Sequence, residues 1–173
     1  EQKGKKKTSI LSLLRGEEKP NGRMAIPIRG LIPGMAIHFA GCCHPIPGDR
    51  IIGIVSTGRG VTIHTLDCDT LENYSDSPER WLDVAWDTGN TQESSYVGRI
   101  KTNLSHEPSA LATLTNVISA EQGNISNLKI INRSPDFFEL LVDIEVKDIK
   151  QLNGIIANLK AKDVVQSVER FSG

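Results

Sequence analysis

The sequence has no long hydrophobic run, no pattern of a secretory leader and few cysteines. No apolar stretch approaches the ~18 residues that a membrane-spanning helix needs, which argues against a membrane protein. The chain starts at Glu1 without the charged segment and apolar core of a signal peptide, so we expect a soluble, cytoplasmic protein that is a piece of a longer chain. The three cysteines are an odd number and two are adjacent, which favours metal or thiol chemistry in a reducing compartment over a disulfide framework.

The chain also has almost no net charge, but this balance hides an uneven distribution. Residues 1–35 contain eight basic residues against three acidic ones, residues 36–96 contain three against nine, and residues 97–173 contain nine of each. Four lysines fall within the first seven residues. We interpret residues 1–23 as a basic linker, and contact with a nucleic-acid phosphate backbone is the alternative for such a cluster.

Residues 24–90 have the composition of a small β-rich domain. Glycine and proline interrupt residues 20–34 repeatedly, and four runs rich in β-branched or aromatic residues follow. These runs, which we predict to be strands, are residues 36–40, 51–55, 61–64 and 80–86. A module of this size has a small hydrophobic core, so a bound metal would help it to fold.

All three cysteines and three of the four histidines lie between residues 38 and 68. If the residues between His64 and Cys68 turn as a helix, these two side chains share one face and can bind one ion. Cys42 and Cys43 then supply two thiolates from a separate loop. Adjacent residues of a straight strand point to opposite faces, so this requires a bend, which the prolines and glycine nearby favour. The pattern indicates a zinc site.

Other interpretations of these residues stay open. His44 is a rival metal ligand, and the cysteines are alternatively small buried apolar residues with His64 packed beside them. A catalytic pair of Cys43 with His44 is a third interpretation, disfavoured because adjacent side chains seldom face each other. His38 lies on a strand pattern and is expected to be an ordinary hydrogen-bonded histidine.

The second half of the chain has a regular succession of elements. Residues 137–146 alternate between two faces, one of them apolar throughout, which predicts a strand with one well-buried face. Apolar residues at helical spacing predict one helix with Pro108 in its first turn and Gly123 as its stop, and a second over residues 149–159. Further strands are predicted at residues 97–102, 125–132 and 164–171. The order βαββαβ is that of a ferredoxin-like unit, so we assign the chain to the α+β class. Because such a sheet leaves edge strands open, we expect a homodimer through this half.

The turn before the first of these helices is a candidate ligand site. Asn103, Ser105 and His106 lie there, next to the free N–H groups and positive dipole end of the helix, which can hold a carboxylate. An amino-acid-sized ligand fits that chemistry. The alternative is that these three side chains only cap the helix.

Several segments carry a resemblance to a known family. Residues 25–30, 42–49, 58–64 and 67–68 resemble the zinc-finger, or conserved-cysteine, region of long RelA/SpoT stringent-response proteins. The βαββαβ unit resembles the terminal ACT domain of the same proteins. The resemblance implies a zinc-finger domain at residues 24–90 and an ACT domain at residues 97–173.

The resemblance also implies a function for the full-length protein. Members of the family make (p)ppGpp by moving pyrophosphate from ATP to GTP or GDP, and many hydrolyse it with manganese. Neither catalytic domain lies in these residues, so the chain itself is not expected to be an enzyme, and Mn or Mg belongs only to the absent domains. The implied ligands of a structural zinc ion are Cys42, Cys43, His64 and Cys68.

ACT domains commonly bind amino acids where a Pro-Gly of the first loop meets a partner's strand, and here Ser109 stands in place of the glycine. By this resemblance we expect valine or isoleucine at a dimer interface, tuning synthesis against hydrolysis. The expected contacts are Asn103, His106 and Asn124 at the polar end of the ligand and Leu104, Leu111 and Ile125 at its aliphatic end, with Ser105 beside them.

Two alternatives need no small-molecule ligand. One is a module that docks on the ribosome or tRNA, as the family's regulatory end contacts ribosomal RNA, with Arg50 and Arg59 making phosphate contacts. The other is a purely structural dimerisation unit.

Overall fold

The computed structural model describes residues 28–87, 89 and 94–171. The basic linker predicted at residues 1–23 and the first part of the segment 25–30 lie outside the described residues. Within the described part of the chain, no helix combines the length and the apolar character needed to cross a bilayer.

The N-terminal module, residues 28–87, is built from short strands. They are β1 (Ile28–Arg29), β2 (Ile37–Phe39), β3 (Ile51–Ser56), β4 (Gly60–Thr65), β5 (Trp81–Asp83) and β6 (Ala85–Trp86), and two 3₁₀ helices span Asp69–Tyr74 and Pro78–Arg80. One sheet has the order β2-β4-β3-β5, and β1 pairs with β6 in a second sheet. The β-branched residues from which we predicted β3 and β4 form the core of this module. Val61 and Ile63 have no exposed surface there.

The parallel pairing of β2 with β4 sets the geometry of the cysteine region. Phe39 pairs with Ile63, and the ladder extends past β2 because Ala40 N donates to Ile63 O at 2.9 Å. The two strands therefore point in one direction and end at the same edge of the sheet. β2 leads into Cys42 at that edge, and β4 carries His64.

The segment 80–86, predicted as one strand, forms two. β5 pairs with β3 whereas β6 pairs with β1, and the break falls at Val84. This side chain is 5% exposed and packs in a core with Ile28 of β1 and Val61 of β4. Because Val84 is buried between residues of both sheets, the chain changes from one sheet to the other at this residue.

The C-terminal domain, residues 96–171, has the predicted order βαββαβ. Its elements are β7 (Tyr96–Ser105), α1 (Ala110–Ala120), β8 (Asn124–Arg133), β9 (Phe137–Val146), α2 (Ile149–Lys160) and β10 (Val165–Arg170). The strands form one antiparallel sheet in the order β10-β7-β9-β8. Alternate residues of β9 from Phe138 to Val146 are buried and pack with Leu114 and Leu152 of the two helices. Both helices thus cover one face of the sheet, and the ferredoxin-like prediction is confirmed.

Helix α1 ends in a way that the glycine pattern did not predict. Gln122, not Gly123, adopts the left-handed conformation, with φ +59°. The N–H groups of Gln122 and Gly123 donate to Ser119 O and Ile118 O, both at 2.9 Å, which closes a Schellman motif. Gly123 is required for space, because a Cβ there would lie 2.9 Å from Ile144 Cγ2.

Candidate metal centre

The predicted metal ligands come together at one edge of the N-terminal module. The Sγ atoms of Cys42, Cys43 and Cys68 and a ring nitrogen of His64 all lie within 4.8 Å of one another. Cys43, Cys68 and His64 are 1%, 4% and 5% exposed. The ring of His38 bonds elsewhere, to a backbone carbonyl, as predicted. The donor set is therefore three thiols and one imidazole, of which Cys42 alone is partly exposed.

A tight turn allows the two adjacent cysteines to reach one point. His44 N donates to Ala40 O at 3.0 Å, which closes a single helical turn around Cys42 and Cys43. Neighbouring side chains on such a turn diverge by about 100°, whereas on a strand they diverge by about 180°. The predicted bend therefore lies at the two cysteines themselves. It does not lie at the prolines that follow them.

The other two ligands do not share a helix. His64 belongs to β4, and the chain leaves this strand through a turn in which Cys68 N donates to Thr65 O at 3.1 Å. Cys68 then precedes the 3₁₀ helix Asp69–Tyr74 as its N-cap residue. The helical geometry predicted between His64 and Cys68 was wrong, and a strand followed by a turn brings the two side chains together instead.

Three of the distances within the cluster are close to those of a tetrahedral metal site. Cys42 Sγ lies 3.5 Å from both His64 Nδ1 and Cys68 Sγ, and Cys43 Sγ lies 3.9 Å from His64 Nδ1. Ligand atoms at the zinc distances of about 2.0–2.3 Å in a tetrahedron are separated by roughly 3.3–3.8 Å. A disulfide needs about 2.05 Å between its sulfurs, and all three cysteines are free thiols. The residues present therefore fit a zinc ion.

Burial and hydrogen bonds together set the pKa values of the cluster. Burial raises the pKa of the Cys43 thiol to about 12, against opposing hydrogen bonds from Thr65, whose N–H donates to Cys43 Sγ at 3.3 Å. Burial also raises the pKa of Cys42, but hydrogen bonds from Thr70 and the neighbouring cysteines outweigh it and the net shift is downward. Burial lowers the pKa of His64 and so favours the neutral ring. A metal ion would meet a neutral imidazole and displace the proton of Cys43 on binding.

His44 turns away from the cluster. Its backbone adopts φ +48°, and its Nε2 atom is buried without a hydrogen-bond partner among the described residues. Burial lowers the pKa of its ring. Arg99 and Arg170 of the C-terminal domain lower this pKa further, whereas Asp143 of the same domain raises it. His44 is therefore neither the rival metal ligand nor the partner of Cys43 in a catalytic pair.

The residues predicted to bind an amino acid divide between the two ends of the C-terminal sheet. One group contains Asn103, Ser105 and His106 at the end of β7, and the other contains Asn124 and Ile125 at the start of β8. Asn103 pairs with Glu139 of β9, and Asn124 pairs with Glu145 of the same strand. Six residues of extended chain, about 20 Å, therefore separate the groups. A single chain does not bring the predicted residues together.

The two leucines of that set differ in exposure. Leu104 has no exposed surface and lies in the core between the sheet and the helices, so its assignment as a ligand contact is corrected. Leu111 is 39% exposed on α1. Leu111 is accessible to a ligand, whereas Leu104 supports the fold.

The polar residues of the turn before α1 do not cap this helix. The N-cap residue of α1 is Ser109, whose side chain makes no capping hydrogen bond. Pro108 lies before this N-cap residue and not in the first turn of the helix, where it was predicted. The Nδ1 atom of His106 lies 3.1 Å from Ser134 O, and its ring packs edge-on against Phe138 at 5.7 Å. His106 therefore ties the β7–α1 turn to the β8–β9 turn.

Sequence reasoning missed the role of residues 44–49, which we name the clamp loop. Ile46 has no exposed surface and belongs to the core of the C-terminal domain. Asp49 forms a bidentate ion pair with Arg170 of β10, with two N–O distances of 2.6 Å. The signal was present in the Pro-Ile-Pro-Gly-Asp motif, since rigid prolines around an isoleucine serve no purpose in metal binding.

Comparison with known proteins identifies the two units. Residues 26–87 match the RelA/SpoT RIS domain, and residues 92–170 match an ACT domain. GTP pyrophosphokinase rsh of Brucella ovis is 40% identical over 154 residues, covering 88% of this chain and 20% of that protein. Bifunctional (p)ppGpp synthase/hydrolase SpoT of Escherichia coli K12 is 33% identical over 145 residues, covering 84% and 20%.

A solved structure resembles the second unit. The crystal structure of the ACT domain from GTP pyrophosphokinase of Chlorobium tepidum covers 44% of this chain and 99% of its own, at 23% identity and a TM-score of 0.40.

The two matches define the class of protein, a RIS domain followed by an ACT domain. The chain belongs to the RelA/SpoT family, as a C-terminal regulatory region. It spans about a fifth of the length of the curated relatives it matches. The N-terminal module is thus the RIS domain, and the C-terminal domain is the ACT domain.

Proposed function

We propose that this chain is the regulatory region of an enzyme that makes and hydrolyses (p)ppGpp, and that its ACT domain senses valine or isoleucine at a dimer interface. Binding of the amino acid shifts the balance between synthesis and hydrolysis in the full-length protein. The names of the relatives support the enzymatic part of this proposal. One of the two edge strands of the described ACT sheet supports the sensing part.

That strand is β8, which pairs with β9 alone among the described strands and exposes apolar side chains. Ile130 and Ile131 are 48% and 40% exposed. A ten-residue open edge with exposed isoleucines is a template for pairing with another strand. Antiparallel pairing with β8 of a second copy extends the sheet across a two-fold axis.

Such a dimer reunites the predicted ligand residues. β8 runs from Asn124 to Arg133, and Arg133 pairs with Phe138 at the end of the sheet that holds His106. In an antiparallel pair, the start of one β8 lies beside the end of the other. The partner subunit's Asn124 therefore approaches the turn that holds His106, and each ligand site needs both copies.

The double substitution Ile130→Lys with Ile131→Lys is expected to convert the dimer into a monomer and to abolish the heat of valine or isoleucine binding. Lysines on this edge repel their symmetry mates, while the half-exposed positions tolerate them without loss of the core. Sedimentation velocity measures the mass, and titration calorimetry with each amino acid measures the binding.

Val97→Lys is the matched control, because Val97 is 38% exposed on β7, an inner strand of the sheet that is separated from β8 by β9. It should leave mass and binding unchanged. An unaltered chain that gives no heat with any amino acid at millimolar concentration would contradict sensing and favour the docking module without a ligand.

We also propose that Cys42, Cys43, His64 and Cys68 bind a structural zinc ion. The close approach of four donors, three of them buried, supports this site. The ion would link the turn after β2 to the end of β4, and so fasten the two parallel strands of a domain with a small core.

Elemental analysis of the purified chain is expected to find about one zinc ion per chain, since four protein ligands complete a structural site. Cys43→Ser removes the most buried thiolate and should lose the zinc. His38→Ala, a histidine of the same domain outside the cluster, should retain it. Zinc-free wild-type protein, or a Cys43→Ser variant with full zinc content, argues against the site.

A further inference from the structure

The clamp loop begins immediately after Cys43 and inserts into the ACT domain. Ile46 is fully buried in the ACT core, in which it is the one residue contributed by the described RIS domain. The next residue, Pro47, accepts a hydrogen bond of 2.8 Å from Ile149 N at the start of α2. Gly48 lies so close to that helix that a Cβ would stand 2.3 Å from Ile149 Cγ2. The contact is therefore close-packed as well as polar.

An ion pair joins the end of the clamp loop to strand β10 of the ACT domain. The two terminal nitrogens of the Arg170 guanidinium, Nη1 and Nη2, donate to the Asp49 carboxylate at 2.6 Å, and the Arg170 and Asp49 side chains are 22% and 8% exposed. The same carboxylate accepts Ile46 N at 2.8 Å, and Arg170 also donates to His44 O at 3.1 Å. Asp49 therefore holds the shape of the loop and the ACT domain at once. Bidentate pairs of this kind are among the stronger polar contacts in proteins.

The metal cluster and the clamp loop share one short piece of backbone. The turn that aims Cys42 and Cys43 at the cluster is closed by His44 N, and His44 O accepts from Arg170. A metal ion that fixes this turn also fixes the start of the loop that the ACT domain grips. Two ligands that stabilise the same conformation of one segment favour each other's binding, and the effect is reciprocal.

We propose that metal binding to the RIS domain and docking of the ACT domain are coupled through the clamp loop. The loaded site holds the loop in the shape that accepts Arg170 and α2, and loss of the metal releases the ACT domain from the RIS domain. This inference rests on the proposed zinc site and adds a route by which the metal-binding and ligand-binding halves communicate.

Hydrogen exchange of the whole chain, read at single amides by NMR before and after zinc is chelated, tests the coupling in one direction. The Ile149 amide, bonded to Pro47 O, is expected to exchange about tenfold faster or more without zinc, a coupling of ordinary size. The Leu140 amide in the middle of the ACT sheet, between β7 and β8, should keep its rate. Verified removal of zinc with no change at Ile149 overturns the coupling and leaves the zinc site standing. Absence of zinc before chelation overturns both.

Zinc affinity tests the coupling in the other direction. Arg170→Met removes the ion pair from the ACT side and is expected to weaken zinc binding about tenfold or more, measured by competition with a chromogenic chelator. Lys101→Met breaks another ion pair of the ACT sheet, Lys101 with Glu139 at 2.8 Å, and should leave the affinity unchanged. Equal zinc affinity in Arg170→Met and Lys101→Met would sink the proposal.

Discussion

Replacing Ile46 by alanine is expected to lower the free energy of unfolding of the ACT domain by about 3 kcal/mol, although Ile46 belongs to the clamp loop of the RIS domain. Its side chain has no exposed surface and packs with residues of β7, β9 and α2. Truncation leaves a cavity that this close-packed core cannot fill. Urea unfolding followed by far-ultraviolet circular dichroism measures the change, because both α-helices of the described chain lie in the ACT domain.

Ile32→Ala is the control for this substitution. Ile32 lies in the same RIS domain but is 52% exposed, so the same change of side chain should cost less than about 0.5 kcal/mol. Trp81 and Trp86 both belong to the RIS domain, so fluorescence follows the unfolding of that domain, although Trp86 also contacts Tyr96 of β7. Equal losses for Ile46→Ala and Ile32→Ala would show that Ile46 is not a structural part of the ACT core.

Periodicity in the sequence was enough to predict the ACT fold. The alternation along residues 137–146 identified the central strand β9, and helical spacing identified α1 and α2, because these elements bury one face against a single core. The same reasoning could not find Ile46. A single apolar residue between two prolines has no period, and its burial depends on a different domain.

Periodicity also failed where the chain changes partners. The run 80–86 reads as one strand, but Val84 is buried at the junction of two sheets and the strand divides there. The metal ligands were identified by residue type, yet the geometry that unites them is the parallel β2–β4 pair. That pairing joins segments more than twenty residues apart, so no local pattern reveals it.

The proposed amino-acid site shows a third reason why prediction from a single sequence is incomplete. Asn124 and His106 carry suitable polar groups, and the fold places them at opposite ends of the sheet. In the proposed dimer, pairing of two copies through β8 would bring them together. Pattern in one sequence cannot distinguish a site shared between subunits from two unrelated surfaces.

Among substitutions outside the four proposed ligands, Gly60→Ala is expected to have the largest effect on the metal site. Gly60 has φ +90°, and a Cβ there would stand 2.1 Å from the carbonyl oxygen of Ala36, which also accepts Val61 N at 2.8 Å. Left-handed strain costs about 1–2 kcal/mol and loss of that hydrogen bond about 1 kcal/mol, so the clash should bring the total to about 3 kcal/mol or more. Urea unfolding followed by tryptophan fluorescence measures it.

Gly58→Ala is the control that introduces the backbone strain of a positive φ without the steric clash. Gly58 lies in the same turn with φ +77°, but a Cβ there meets no atom within 4 Å, so about 1–2 kcal/mol of strain is expected alone. Zinc affinity should distinguish the variants further. Displacing Ala36 moves β2 away from β4, and with it Cys42 away from His64, so Gly60→Ala should bind zinc weakly while Gly58→Ala binds normally. Equal zinc affinities would show that the β2–β4 pairing does not assemble the site.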